Sequence, residues 1–187
     1  PTIGGVGLIS DYENMLTMEF KSEGNLVYVI GKTEGHLDQS IFAKSILSED
    51  KGPPPEINLF NEKNIGHTLL KLNNEKLIES SHDVSLGGII VAITKMSILG
   101  GVGIKIGKIK QLVNKFEYFF GEDQGRYIVE ITKVNLKKVK EILNKNSVHF
   151  DELGITTKKD IIFDDETIVN IEELTELYNN WLKQYMI

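Results

Sequence analysis

Two short polar clusters hold most of the side chains in this sequence that could carry chemistry. The first, residues 81–88, combines a histidine, a carboxylate, a hydroxyl and two glycines: His82, Asp83, Ser85, Gly87 and Gly88. The apolar run from Ile89 to Leu99 follows at once, so the cluster is predicted to be a loop leading into a buried helix. Backbone N–H groups at the start of a helix attract anions, and glycines let an anion approach closely. This pattern favours binding of a phosphate, a metal ion or a polar substrate. The alternative is structural: Asp83 or Ser85 caps the helix, and the glycines only permit close packing.

The second cluster, residues 121–126, lies about forty residues downstream, in another connection between predicted elements. Its polar side chains are Glu122, Asp123, Gln124 and Arg126. Because α/β folds place sites in such connections, we expect the two clusters to converge. Two or more carboxylates with further oxygen ligands suit Mg²⁺, which also bridges phosphates, and Arg126 could clamp a phosphate or carboxylate. The alternative is a weak local ion pair between Glu122 and Arg126.

The composition narrows the classes of function. The chain has 187 residues, 21 Lys plus Arg against 27 Asp plus Glu, a net charge of -6 and no cysteine. The acidic balance argues against a nucleic-acid partner, and the missing cysteines exclude disulfides and thiol nucleophiles. No apolar run reaches the ~18 residues of a spanning helix, and no signal peptide is visible, so we expect no membrane partner and a cytoplasmic location. The start at Pro1 suggests a piece of a longer protein or a processed chain.

Hydrophobic periodicity predicts strands and helices that alternate irregularly. The predicted strands cover residues 2–9, 16–20, 26–30, 102–107, 127–132, 154–157, 161–163 and 167–170. The predicted helices lie within residues 36–47, 56–73 and 89–99, in a segment with Leu136, Val139, Ile142 and Leu143 on one face, and in a last helix capped by Asn170. Asp38 or Ser40 could start the first of these helices. We therefore expect an α/β or α+β fold in which helices pack on a mixed sheet, and a single domain over residues 1–187.

The motifs resemble a known superfamily when they are taken together. The stretch His82–Gly88 is similar to the His-Asp-x-Ser-x-Gly-Gly element in the C-terminal domain of the aminoimidazole ribonucleotide synthetase superfamily. Within it, Pro1–Leu8, the prolines after Gly52 and the segment Phe120–Tyr127 resemble the last domain of phosphoribosylformylglycinamidine synthase. The match covers nearly the whole chain in order.

The resemblance implies a fold like that of the C-terminal domain of aminoimidazole ribonucleotide synthetase, and it also implies a reaction and partners. The family amidates formylglycinamide ribonucleotide with ATP, Mg²⁺ and ammonia derived from glutamine. The cysteine nucleophile that releases the ammonia is absent here, which implies a glutaminase subunit or domain as a partner, beside N-terminal synthetase domains of the same chain. The isolated chain is then expected to be inactive. By position, Asp83 corresponds to a metal-contacting residue and Glu122, Asp123 and Gln124 to a substrate-contacting segment. Two alternatives remain open: another member of the superfamily, such as a thiamine monophosphate kinase-like or selenophosphate synthetase-like enzyme, or a non-catalytic assembly module.

Overall fold

The computed structural model describes residues 4–9, 11–109, 113–163 and 167–186. The strands are β1 (Leu26–Ile30), β2 (Ser80–Asp83), β3 (Gly103–Ile106), β4 (Tyr127–Ile131), β5 (Phe150–Thr157), β6 (Ile161–Phe163) and β7 (Thr167–Val169). The α-helices are α1 (Leu59–Asn74), α2 (Gly88–Gly100), α3 (Lys115–Phe120), α4 (Leu136–Lys145) and α5 (Ile171–Tyr185). A 3₁₀ turn at Tyr12–Asn14 and a π-helix at Ala43–Leu47 complete the elements.

The seven strands form one mixed sheet in the order β2-β4-β1-β5-β3-β6-β7. The β1 strand pairs antiparallel with β4 and with β5, whereas β3 and β6 pair in parallel. β2 lies at one edge and pairs antiparallel with β4, where His82 faces Ile128 and Asp83 faces Tyr127. The first residues of the first polar cluster therefore lie in an edge strand.

Helices cover both faces of the sheet, as the alternation of side chains in β1 shows. Val27 and Val29 join one apolar core with residues of α2, α3 and α5, and Tyr28 and Ile30 join the other core with residues of α1 and α4. Successive strand residues point to opposite faces, so a strand with two buried faces is apolar throughout. These observations confirm the predicted mixed sheet with packed helices.

A buried carboxylate fastens the segment before β1 to the sheet. The side chain of Glu130 in β4 is fully buried. It accepts hydrogen bonds from the backbone N–H groups of Lys21 (2.8 Å) and Ser22 (3.2 Å), the Asn25 amide (2.8 Å) and the Ser80 hydroxyl (3.0 Å). Four donors replace the water that this charge loses on burial.

Two predicted strands are wrong. Residues 4–9 of the predicted strand 2–9 are exposed and irregular, since three glycines and no pairing strand leave nothing to fix them, while Thr2 and Ile3 lie outside the described residues. Residues 16–20 form no strand, and the backbone N–H of Phe20 donates to the carbonyl of Met96 within α2 rather than to a neighbouring strand. The helix predicted within residues 36–47 begins after Ser40, one of its two predicted starts, and the Ser40 hydroxyl accepts a hydrogen bond from the backbone N–H of Ala43 at 3.1 Å. Gln39, at a φ of 61°, excludes the other start at Asp38.

No helix among the described residues is long and apolar enough to cross a membrane.

Candidate functional site

The first polar cluster is half strand and half turn, not the loop that was predicted. Asp83 ends β2, and a turn over residues 84–87 leads into α2. The N-cap of α2 is Gly87, at φ 85°, and it has no side chain to cap the helix. Neither Asp83 nor Ser85 caps α2, so the structural alternative for these two residues is wrong. Both are exposed.

The cap of α2 comes from the second polar cluster instead. Glu122 Oε1 accepts a hydrogen bond from the backbone N–H of Gly87 at 2.8 Å and another from the N–H of Ile41 at 2.8 Å. The backbone N–H of Glu122 donates to the carbonyl of His36 at 2.8 Å. This carboxylate lies where a helix N-terminus favours negative charge. The two clusters therefore converge, as predicted, through a bond between the protein's own groups.

Gly88 brings α2 unusually close to the second cluster. A Cβ atom at this position would lie 2.5 Å from the carbonyl oxygen of Phe119 and 2.8 Å from that of Gly121. The residue also has a φ of 73°, which L side chains rarely adopt. Gly88 is thus required for close packing of the two clusters.

Asp123 is a buried anchor for the segment that follows β1. Its carboxylate accepts hydrogen bonds from the backbone N–H groups of Glu34 (3.1 Å), Gly35 (3.0 Å) and His36 (2.9 Å). Three N–H donors occupy both oxygens of the carboxylate and fix the path of this loop along the second cluster, whereas its counter-charge comes from Arg126.

Arg126 is almost fully buried, at 1% exposure. Its guanidinium donates to the carbonyls of Gly121 (2.6 Å) and Asp123 (3.3 Å) and to the Thr33 hydroxyl (3.3 Å), and it lies 3.5 Å from the Asp123 carboxylate. Burial lowers the pKa of Arg126, and the neighbouring Asp123 carboxylate opposes that effect. The predicted ion pair between Glu122 and Arg126 is therefore replaced by one with Asp123, and the guanidinium forks are occupied by protein groups.

A cleft runs along the outer side of the two clusters, between them and the N-terminus of α1. It consists of two adjoining cavities of about 570 and about 280 Å³ that share Pro55, Glu62, Gln124 and Gly125. Asp83, Ser85, Glu122 and Arg126 line the smaller cavity, and Lys32, Glu34 and Asp123 line the larger one. Gln124 is exposed at the junction. The cleft thus collects most of the predicted site residues.

His82 lies behind the cleft. Its Nδ1 is 3.0 Å from Asp83 Oδ1, and its Nε2 is buried without a partner among the described residues. An Nδ1–H that donates to Asp83 leaves Nε2 as an unfilled acceptor, which costs less than a buried N–H without an acceptor. The pair orients the Asp83 carboxylate at the mouth of the cleft.

A complete metal site is absent from the described ranges 4–9, 11–109, 113–163 and 167–186, where no group of three or more His, Asp or Glu side chains is arranged around a common point. Asp83 stands 61% exposed with one carboxylate oxygen on His82. Asp83 therefore offers at most the oxygens of one carboxylate, and the other ligands of a hard cation would have to come from water, a bound phosphate or another part of the protein.

Two cleft residues were missed by reasoning from the sequence. Glu62, on the first turn of α1, lies against Gly125, where an added Cβ atom would be 3.0 Å from Glu62 Oε1. Tyr127 opens β4, and its pKa is raised by burial, with further contributions from the Glu62 and Asp83 carboxylates. Glu62 belongs to no motif, and Tyr127, the last residue of the segment Phe120–Tyr127, was predicted only as the start of a strand.

Comparison with known proteins assigns the family. Residues 22–165 match the model described as "AIR synthase related protein, C-terminal domain". The chain belongs to this family. Over its whole length it is 60% identical to the phosphoribosylformylglycinamidine synthase subunit PurL of Pelagibacter ubique, of which it covers 26%. The chain spans about a quarter of the length of the curated PurL relatives that it matches.

Solved structures show the same fold for this AIR synthase related domain. PurL of Thermotoga maritima matches 87% of the chain with TM-scores of 0.70 for the complex with FGAR and 0.66 for the complex with ATP, at 18% and 16% identity. The matches cover 30% and 27% of those chains. The structure of PurLQS from the same organism matches with a TM-score of 0.66 at 17% identity, over 87% of this chain and 28% of that one.

Proposed function

We propose that this chain is the C-terminal synthetase-type domain of an ATP-dependent ligase that converts formylglycinamide ribonucleotide and ammonia to formylglycinamidine ribonucleotide. The observation that carries the proposal is the identity of 60% to a PurL subunit over the whole chain. The cleft beside Asp83, Ser85 and Gln124 supports it, because a ligand can lie there against both polar clusters. The domain closes a nucleotide-holding cleft against the rest of the longer protein.

The reaction needs an activated amide oxygen, a neutralised phosphate and a site without bulk water. This chain contributes walls and orientation. Glu122 and Asp123 fix the backbone that lines the cleft, and His82 orients the Asp83 carboxylate. In this proposal Asp83 supplies one ligand of a Mg²⁺ ion whose remaining ligands come from elsewhere in the longer protein, and ATP is the second substrate. His82, Gly87 and Gly88 stay predicted as residues near the ligand.

The partners follow from the same proposal. Ammonia requires a glutaminase, and this chain has no cysteine nucleophile. A separate subunit or another domain therefore supplies it, and the N-terminal synthetase domains belong to the same polypeptide. We also propose that the protein is cytoplasmic and that it binds neither nucleic acid nor a membrane.

The test uses the full-length protein that contains this chain. Formylglycinamide ribonucleotide, ATP and ammonia are supplied, and product is measured for the wild type, for Asp83→Asn and for Asp50→Asn as an exposed acidic control. We expect Asp83→Asn to lower kcat by about a hundredfold or more, on the scale of a lost preorganised electrostatic group. We expect Asp50→Asn to match the wild type. Wild-type protein without turnover would contradict the proposal.

A non-catalytic assembly module is the second candidate. The specific observation in its favour is that Glu122, Asp123 and Arg126 are all engaged with protein groups. This function predicts near-normal turnover and lowered thermal stability for Asp83→Asn in the same assay.

A further inference from the structure

The cleft has few free groups that could bind a phosphate. The N-terminus of α2 already holds the Glu122 carboxylate, and the Arg126 guanidinium donates to protein oxygens. Lys32, the lysine that lines the cleft, forms an ion pair with Glu34 at 2.6 Å. Carboxylates of Glu34, Glu56, Glu62 and Asp83 surround the remaining space. An uncomplexed phosphate in this cleft would meet like charge rather than compensating charge.

Free hydrogen-bond acceptors and hydroxyls are abundant in the same cleft. The side chains of Glu62, Ser85, Gln124 and Tyr127 make no side-chain hydrogen bond or ion pair within the part of the chain that the structure describes. Glu62 occupies the junction of the two cavities, beside Gly125. A carboxylate accepts hydrogen bonds and donates none, and it is the group that α/β proteins use to hold the hydroxyls of a ribose.

We propose that Glu62, with Gln124 and the Tyr127 hydroxyl, binds the ribose hydroxyls of a ribonucleotide, and that the phosphate of that ligand is bound outside this domain. The assignment rests on the proposed function for the identity of the ribonucleotide. That ribose hydroxyls are the group bound is inferred from this cleft alone. Glu62 is then a specificity-determining residue, because the carboxylate loses its partner when a ligand lacks the hydroxyl.

The experiment measures binding to the full-length protein without turnover. Dissociation constants are determined by calorimetry for ATP and formylglycinamide ribonucleotide and for their 2′-deoxy and 3′-deoxy analogues. The proteins are the wild type, Glu62→Ala, and Glu141→Ala as a charge-matched control on the exposed face of α4. The KM for ammonia is measured in parallel, since an acidic cleft could also attract ammonium.

We expect Glu62→Ala to raise the dissociation constant of one of the two ribonucleotides by about tenfold to a hundredfold. This is the range for a lost hydrogen bond to a charged group. The wild type should prefer that ribonucleotide over its deoxy analogue by a similar factor, and the variant should lose this preference. Glu141→Ala should retain it.

Two results would overturn the inference. One is an unchanged preference for the hydroxylated ligands in Glu62→Ala, or no such preference in the wild type. The other is a changed KM for ammonia with unchanged ribonucleotide binding, which would assign Glu62 to the ammonium ion. Failure of the proposed function can be distinguished from failure of this inference. If the wild type shows no amidation activity, the binding measurement still reveals whether it prefers ribonucleotides over their deoxy analogues.

Discussion

The Glu122 carboxylate and the backbone N–H of Gly87 are joined by a hydrogen bond of 2.8 Å, so one cluster of polar residues caps the helix that starts in the other. We expect Glu122→Ala to lower the free energy of unfolding by about 1–2 kcal/mol, the cost of a lost helix cap. Glu122→Gln keeps one acceptor oxygen and should lose less. Denaturant titration measures both values, and Glu49→Gln, an exposed change, is the control. Equal stability of Glu122→Ala and the wild type would contradict the capping role.

Gly88 offers a test of close packing. Gly88→Ala places a Cβ atom 2.5 Å from a backbone carbonyl at a φ of 73°, so we expect a loss of several kcal/mol or failure to fold. Gly66 in α1 is the matched control, because an added Cβ atom meets nothing within 4 Å. Gly66→Ala should raise stability by about 0.5–1 kcal/mol, since alanine restricts the unfolded chain. Thermal denaturation of both variants decides the point, and a stable Gly88→Ala protein would be inconsistent with the contact.

Removal of Arg126 should leave Asp123 as an uncompensated buried charge. We expect Arg126→Ala to cost about 3–5 kcal/mol of stability, the usual penalty for one broken partner of a buried pair. Arg126→Lys retains the charge but not the forked geometry, and it should be intermediate. Urea unfolding curves provide the comparison. A loss below about 1 kcal/mol for Arg126→Ala would show that water or another group replaces the guanidinium.

Glu130 tests whether the segment before β1 depends on one carboxylate. Its four donors would be left without an acceptor in Glu130→Ala, and hydrogen bonds to a charged group contribute about 1.5–3 kcal/mol each. We therefore expect a loss of more than about 3 kcal/mol and faster amide exchange at Lys21 and Ser22. Slow exchange at these two amides in the variant would contradict the anchoring role.

We expect the folded protein to lose stability at alkaline pH because Tyr28 is buried. Burial, together with the hydrogen bond and the charge of Glu152, raises the pKa of Tyr28 well above its ordinary value. The folded state therefore keeps the phenolic proton longer than the unfolded state, so this contribution is intact below about pH 10 and is lost as the pH rises above it. Tyr28→Phe should lower stability at pH 8 and flatten the decline above pH 10. Unfolding curves across pH 8–12 measure both effects, and an unchanged alkaline slope in Tyr28→Phe would show that other groups set it.

The sequence correctly predicted the helices and strands that can be recognised from the types of neighbouring residues. The apolar run 89–99 predicted α2, the β-branched run at residues 26–30 predicted β1, and Asn170 caps α5 with a bond to the N–H of Glu173 at 3.1 Å. β2 escaped prediction because Ser80–Asp83 has no β-branched residue, and its conformation comes from pairing with β4, far away in sequence.

The candidate site divides in the same way. The two clusters could be predicted to meet, because their positions in the chain indicated connections between elements. The bonds between Asp123 and Glu34 and between Arg126 and Thr33 could not be predicted, and neither could the approach of Glu62 to Gly125. The two residues of each pair are distant in sequence and share no motif. Tertiary packing alone determines which polar groups are used internally and which face the cleft.

The position of β1 between β4 and β5 in the sheet has a consequence for how the chain folds. Leu26 pairs with Ile131 on one side and with Ile155 on the other, so the first strand has no partner until more than a hundred further residues are available. Loops of that length close slowly, and the sheet cannot nucleate on a nascent chain that lacks β4 and β5. The apolar strand β1 therefore stays unpaired until β4 and β5 have been synthesised, and the domain folds only late in its synthesis.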